Sequence, residues 1–401
     1  MRKLAIGPGR LVAFVDDADG MVVTGAKPGT LVRVQATTTA QGQTVTCSGE
    51  FVADPWGTVE TARDPSIGGD YTGVDPFGLL WSADTDGNLD RSDLRPVRVS
   101  VSAESGGRLA EASFSRSWHP ATGAVRDVRE PGVIGRLFTP PAPALSPGVV
   151  ILAGSDGGLG SVAMSALLSR HGMAALALAH WNYPGTPPAM KDIDVEIVGA
   201  ACDWLRRQPG VRDQRPSVVG ISRGGELALL AGSLEPSRVG SVVSLVGSGV
   251  AWGAFGPGSR VTDIAWRFRG EPLPAMDEDE DDPDACLEDQ GMVARAEIPV
   301  ENSERVLLVS GSRDGMWPSA RLSAIAANRA TRNGAENRVT HVEQADAGHG
   351  CTTPPGFAVP AVVRHPIDGS IWDLGGTREG NHAARIDTWH RLLHFLEAPL
   401  P

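Results

Sequence analysis

What limits the folds open to this chain is a strand, a sharp turn and a helix compressed into residues 218–230. Val218-Val219 is apolar, Gly220-Ile221-Ser222-Arg223-Gly224 follows without a break, and Glu226-Leu227-Ala228-Leu229-Leu230 is helical. A strand that enters a helix through Gly-x-Ser-x-Gly lifts the serine hydroxyl above a sheet, because the glycines let neighbouring backbones pass closely. The same turn puts Ser222 at a helix N-terminus, whose partial positive charge favours an oxyanion forming there. Stripped of that context, the five residues are a glycine-rich turn with serine as helix cap.

The surrounding texture agrees with a strand–helix alternation. Val149-Val150-Ile151-Leu152-Ala153 and Ala174-Ala175-Leu176-Ala177-Leu178-Ala179 are continuous apolar runs, and further strands are expected at 217–221, 241–246, 306–310 and near 338–344. Helical stretches fall near 161–171, 195–208, 223–234, 319–332 and 382–396. Apolar strands separated by helices build a parallel sheet covered on both faces. Residues 1 to about 120 read differently. Runs such as Thr30-Leu31-Val32-Arg33-Val34-Gln35-Ala36 and Val97-Arg98-Val99-Ser100-Val101 alternate with period two between turn clusters, which points to an all-β sandwich. The expected organisation is therefore a β-sandwich over 1–120, a connecting segment over 121–146 with a stiff elbow at Pro140-Pro141-Ala142-Pro143, and an α/β catalytic domain over 147–401. The run Asp277-Glu278-Asp279-Glu280-Asp281-Asp282 reads as a solvated loop, since like charges at that density repel.

A serine hydroxyl needs a base, and in a fold of this kind the chain order is serine, acid, histidine. His341, His349, His365, His382, His390 and His394 all follow Ser222. His349 stands in Asp346-Ala347-Gly348-His349-Gly350, a glycine-flanked loop after a strand, from which an imidazole can reach over a sheet edge. His390 and His394, four apart on the last helix, read as surface or packing positions. Asp314, in Ser310-Gly311-Ser312-Arg313-Asp314-Gly315 after an apolar strand, is the expected partner that fixes the imidazole tautomer. Asp346, three residues from His349, competes for that role. The oxyanion hole needs two backbone N–H groups. Arg223 follows the nucleophile, and Ser155, in the loop after the first apolar strand, is the second choice. His180, Trp181 and Tyr183 follow the next strand, where open α/β sheets place ligands, and are candidate pocket residues. Glu226 reads either as a helix-start carboxylate or as a residue that shapes the pocket.

Bulk composition narrows the partners. A net charge of −12 argues against nucleic acid, which demands clustered Lys and Arg. No run of 18 apolar residues suggests a membrane span. Cys47, Cys202, Cys286 and Cys351 are scattered without metal-ligand spacing, so no metal is expected, and the pattern suits a reducing compartment with free thiols. The N-terminus lacks the apolar core of a signal peptide, and Glu-Ala-Pro-Leu-Pro at the C-terminus is no peroxisomal address. On these grounds the cytoplasm is the expected location. Asp84-Thr85-Asp86-Gly87-Asn88-Leu89-Asp90 reads as a polar turn, because a calcium loop would need glutamate where Arg95 stands.

Taken together, these residues resemble the family of acyl-CoA thioesterases and bile acid-CoA:amino acid N-acyltransferases. The likeness runs through Gly220 to Glu226, Asn182-Tyr183, Ile298-Pro299-Val300-Glu301, Ser310-Gly311 to Asp314, Trp317-Pro318-Ser319, Gly348-His349 with Pro354-Pro355, and His382-Ala383 with Trp389. In the N-terminal half it includes Pro28-Gly29, Gly68-Gly69 to Gly73, and Pro76-Phe77-Gly78-Leu79-Leu80-Trp81. The resemblance implies an α/β-hydrolase fold preceded by an immunoglobulin-like sandwich, with no cofactor. The implied substrate is an acyl thioester on coenzyme A or a carrier protein, attacked to give an acyl-serine. Amide-forming members of the family typically use cysteine, so Ser222 favours hydrolysis. Transfer to an amine or hydroxyl, oxygen-ester hydrolysis and a non-catalytic binding role on a hydrolase scaffold are the alternatives. Asp156 stands where the family usually carries glycine, so among the pocket residues its carboxylate must turn from the oxyanion or be paired.

Overall fold

The computed structural model describes residues 3–10, 13–83, 85, 90–141, 145–260, 262–276 and 285–398. The acidic run 277–282 and most of the polar turn 84–90 lie outside the described residues. The chain divides into two compact units, Met1–His119 with Thr353–Val363, and Pro120–Thr352 with Arg364–Pro401.

The first unit is built of two sheets. Six strands lie in the order Ala13–Phe14, Arg108–Ser117, Val97–Ser105, Leu31–Ala40, Gln43–Val52, Gly68–Gly69, and three more pair as Ala5–Pro8, Met21–Thr24, Val59–Glu60. The period-two pattern decides which face is buried. Along Leu31–Ala40, Val32, Val34 and Ala36 point inward while Arg33, Gln35 and Thr39 face water. Each fully buried valine is worth roughly 1.5–3 kcal/mol of transfer free energy. Residues 353–363, expected within the catalytic domain, belong to this unit. Phe357 meets Trp118 edge-on at 5.5 Å, and Ala358 packs with Val45 and Cys47.

The second unit is an eight-stranded sheet, β1 (Ala124–Glu130), β2 (Val133–Thr139), β3 (Gly148–Leu152), β4 (Ala174–Leu178), β5 (Ser217–Ile221), β6 (Ser241–Leu245), β7 (Arg305–Gly311) and β8 (Val339–Gln344). Their order is β1-β2-β4-β3-β5-β6-β7-β8. β2 runs antiparallel to both neighbours, and the remaining pairs are parallel. Residues 121–146 therefore do more than connect: they supply the hairpin β1–β2 at one edge. β3, β4 and β6 are buried along their whole length, as strands covered on both faces must be. The helices are α1 (Val162–Arg170), α2 (Glu196–Arg206), α3 (Arg223–Leu234), α4 (Gln290–Ala296), α5 (Ser319–Arg332) and α6 (Arg378–Glu397). From β3 the chain turns to β4 on one side, and after β5 it proceeds to β6 on the other. Loops after β3 and β5 thus flank the crevice where an open α/β sheet accepts a ligand. This topology is the α/β-hydrolase fold.

Candidate active site

β5 delivers Ser222 into a conformation that few residues adopt, φ +56° and ψ −123°. Such backbone costs of order 1–3 kcal/mol and persists when its surroundings hold it. Here the Ser222 amide donates to Leu245 O at 2.8 Å, and the Ser222 carbonyl accepts from the amides of Gly225 and Glu226 in the first turn of α3. Two glycines make the turn possible. A Cβ at Gly220 would stand 1.9 Å from Gly224 O, and one at Gly224 would stand 2.3 Å from Ala153 O.

The loop after β3 lies directly against this serine, since a Cβ at Gly154 would fall 3.0 Å from Ser222 Cβ and 3.6 Å from its Oγ. Ser155, next along, is buried. The amides of Arg223 and Ser155 thus come from the two loops that flank the crevice. Asp156 turns within its own loop: its Oδ2 would be 2.4 Å from a Cβ on Gly160.

Asp314 and His349 meet. Asp314 follows β7, His349 follows β8, and His349 Nδ1 lies 2.8 Å and 3.1 Å from the two carboxylate oxygens of Asp314. Both side chains are withdrawn from water, 7% and 1% exposed for histidine and aspartate. Asp314 Oδ1 also accepts from the amides of Met316 and Trp317, which holds the carboxylate still. Asp346 is elsewhere, 66% exposed and paired with Arg313 at 3.4 Å. Ile221, beside Ser222, packs with Val246, Ala347, Cys351 and Ala384, so the serine turn and the histidine loop share one apolar cluster.

A segment that the sequence reading passed over stitches these loops together. Gly375 bridges Asp314, Gly376 bridges Ala347, and Leu374 O accepts from the His349 amide at 2.7 Å. Gly375 and Gly376 carry φ of +70° and +75°, and the paired glycines were the visible signal of a close backbone approach.

The remaining histidines differ in place: His365 lies beside the Ser155–Asp156 loop and stacks on Trp372 at 3.9 Å. His390 and His394 are exposed on α6, and His341 shares a hydrogen bond with Ser310 Oγ at 2.8 Å. Two expected pocket residues prove to be packing residues. His180 and Trp181 are 1% and 0% exposed, because the bridge between Met190 and Phe255 and the strand Trp266–Phe268 cover the end of β4. Burial lowers the His180 pKa to about 4. Trp181 supports the β3 loop by donating from Nε1 to Gly154 O at 3.2 Å. Tyr183 is partly accessible, with the Arg129 guanidinium 5.5 Å over its ring.

Comparison with known proteins covers both units. Residues 17–130 match the acyl-CoA thioester hydrolase/BAAT N-terminal region, and residues 193–401 match the BAAT/acyl-CoA thioester hydrolase C-terminal region. The chain is 31% identical over 363 residues to acyl-coenzyme A thioesterase 1 of Mus musculus, covering 87% of this chain and 85% of that protein. It is 29% identical to mitochondrial acyl-coenzyme A thioesterase 2 of Rattus norvegicus, over 99% of this chain and 89% of that protein. It is equally 29% identical to the peroxisomal succinyl-coenzyme A thioesterase of Mus musculus, over 86% and 84%. The expected cytoplasmic location does not stand. Relatives named for mitochondria and peroxisomes match at the same level, and scattered free thiols suit any reducing compartment. Likeness of this extent, reaching through sandwich and sheet alike, leaves one assignment: the chain belongs to the acyl-CoA thioester hydrolase/BAAT family.

Proposed function

We propose that this protein hydrolyses acyl-CoA thioesters to free acids through an acyl-serine at Ser222. The observation that carries the reading is the buried His349–Asp314 pair, 2.8 Å apart, with the histidine loop sharing an apolar cluster with the strained serine turn. Kinship with proteins named acyl-CoA thioesterases supports coenzyme A as the carrier. In the forward step Ser222 Oγ attacks the thioester carbonyl while His349 Nε2 takes its proton. Asp314 holds Nδ1–H and stabilises the imidazolium that forms. The Arg223 and Ser155 amides receive the oxyanion. Collapse breaks the C–S bond, and His349 returns the proton to the departing thiolate. Water then repeats the sequence on the oxygen ester and releases the acid.

The test is thiol release from a panel of acyl-CoA substrates of increasing chain length, with Ser222→Ala as control. Turnover on at least one thioester, lost in the variant, supports the reading. No release from any thioester, or equal rates with and without the serine hydroxyl, refutes it.

A further inference from the structure

Arg223 follows the nucleophile, yet its side chain is turned inward. It pairs with Glu226 one helical turn along α3, Nε to Oε2 2.8 Å, the side chains 9% and 0% exposed. Withdrawing two charges from water is costly, and such pairs persist where their remaining donors and acceptors are used. Arg223 Nη2 donates to Trp252 O at 3.2 Å and to Gly253 O at 2.8 Å. Glu226 Oε1 accepts from the Trp252 amide at 2.8 Å and from Trp266 Nε1. The Arg223 guanidinium also lies 5.8 Å over the Trp266 ring.

The pair therefore grips two separate segments, 252–253 beyond β6 and the strand Trp266–Phe268. The first leads toward the imidazole. Trp252 lies 6.3 Å from Trp317, and Trp317 lies 6.4 Å from His349 and donates from Nε1 to Val246 O at 2.9 Å. Behind this wall Val250, Met276, Leu287, Val293 and Leu322 form their own apolar core. A carboxylate serving the helix dipole would need neither the guanidinium nor the two tryptophan donors.

We propose that the Arg223–Glu226 pair is a positioning device for acyl transfer. It fixes the first turn of α3, and with it the Ser222 hydroxyl and the Arg223 amide, in register with the Trp252–Trp317 wall beside His349. This rests on the acyl-serine reading above. An interaction that places the nucleophile and an oxyanion donor acts in the transition state, so its loss falls on kcat rather than KM.

The experiment compares Arg223→Met, Glu226→Gln and Arg223→Met/Glu226→Gln for kcat, KM, pH profile and thermal melting. Arg223→Met strands a buried carboxylate, which then ionises only at higher pH. The expected result is a kcat about 30-fold lower with KM within about threefold, and an added fall in rate as pH rises through neutrality. His180, across the Trp266 ring at 6.3 Å, stays neutral above about pH 4 and adds no step in that range. The double variant removes the charge while an amide oxygen still accepts from Trp252 and Trp266. It should recover about tenfold over Arg223→Met and lose the added pH dependence. Single variants with kcat within about twofold of wild type overturn the proposal. If Arg223→Met does not fold, Glu226→Gln decides: a lowered kcat at unchanged KM supports the device, and wild-type kcat overturns it. Fluorophosphonate labelling of the wild type runs alongside. A wild type left unlabelled at Ser222 sinks the acyl-serine reading itself, whereas a labelled wild type with indifferent variants sinks the positioning role alone.

Discussion

Replacing Asp314 with asparagine changes two atoms' chemistry and almost nothing of their shape. In the native protein Oδ1 accepts from Met316 N at 3.0 Å and from Trp317 N at 3.4 Å, while Oδ2 lies 2.8 Å from His349 Nδ1. The asparagine carbonyl must keep the Oδ1 position, because both turn amides point at it. Its NH2 group then faces Nδ1, and two donors cannot share that contact. The imidazole responds by moving its proton to Nε2, which leaves no acceptor for the Ser222 proton. Wrong-tautomer substitutions of this kind in serine proteases cost ~10⁴ in kcat, and a factor of that size corresponds to about 5.4 kcal/mol of barrier. The fold should survive, since the turn hydrogen bonds remain and one buried charge is removed. Asp346→Asn is the matched control. That side chain is 66% exposed and its pairing with Arg313 is worth about 0–1 kcal/mol, so its rate should stay within about twofold of wild type. The assay is steady-state thiol release at pH 7.5 with melting curves for each variant. Asp314→Asn within about tenfold of wild type, or Asp346→Asn as the more damaged of the two, refutes the assignment.

Other perturbations test the supporting structure. Gly220→Ala drives a Cβ to 1.9 Å from Gly224 O, and urea unfolding should show a loss of at least about 2 kcal/mol together with loss of activity. Burial holds the His180 pKa at about 4 in the folded state against ~6.5 unfolded, so the unfolded chain gains a proton first as pH falls. Stability is therefore full above about pH 6.5 and is lost toward pH 4. Between pH 7 and pH 5 this one residue costs about 2 kcal/mol, and His180→Phe should lose that much less than wild type over the same interval. Burial raises the thiol pKa of Cys47, Cys202 and Cys351, so a thiol reagent applied to the native protein should modify the partly exposed Cys286 first. Peptide mapping that finds Cys202 or Cys351 modified first contradicts the described packing.

The strand-turn-helix around Ser222 was legible because three local signals agree there: an apolar strand, glycines that the close backbone approach requires, and a good helix former run. Strands β3 to β7 carry the apolar runs of a sheet covered on both sides, whereas the edge strand β8, Val-Thr-His-Val-Glu-Gln, buries only its last residue. The expected limits of α5 match the structure residue for residue. The hairpin β1–β2 was missed because Ala124–Glu130 buries Val128 alone, and an edge strand wet on both faces has no period to read. Residues 353–363 were missed for a different reason. Their contribution is the packing of Phe357 and Ala358 from an irregular path, which leaves no repeat in the sequence. Glu226 could be read as either of two things from its place at a helix start. What decides its role is the inward turn of Arg223 and the approach of Trp252 and Trp266 from distant segments, and no spacing along the chain encodes that convergence. His180 and Trp181 were placed correctly at the end of β4, but whether a strand end is open or roofed depends on segments far away in sequence.

Thioester hydrolysis by this route requires that Ser222 become acylated. The measurement that meets this head-on is rapid-quench intact-mass analysis of the wild-type protein mixed with a turned-over acyl-CoA, followed by peptide mapping. The predicted result is a transient adduct of the acyl mass on the peptide containing Ser222, absent from Ser222→Ala. An adduct on another residue, or turnover with Ser222→Ala at the wild-type rate, would contradict it.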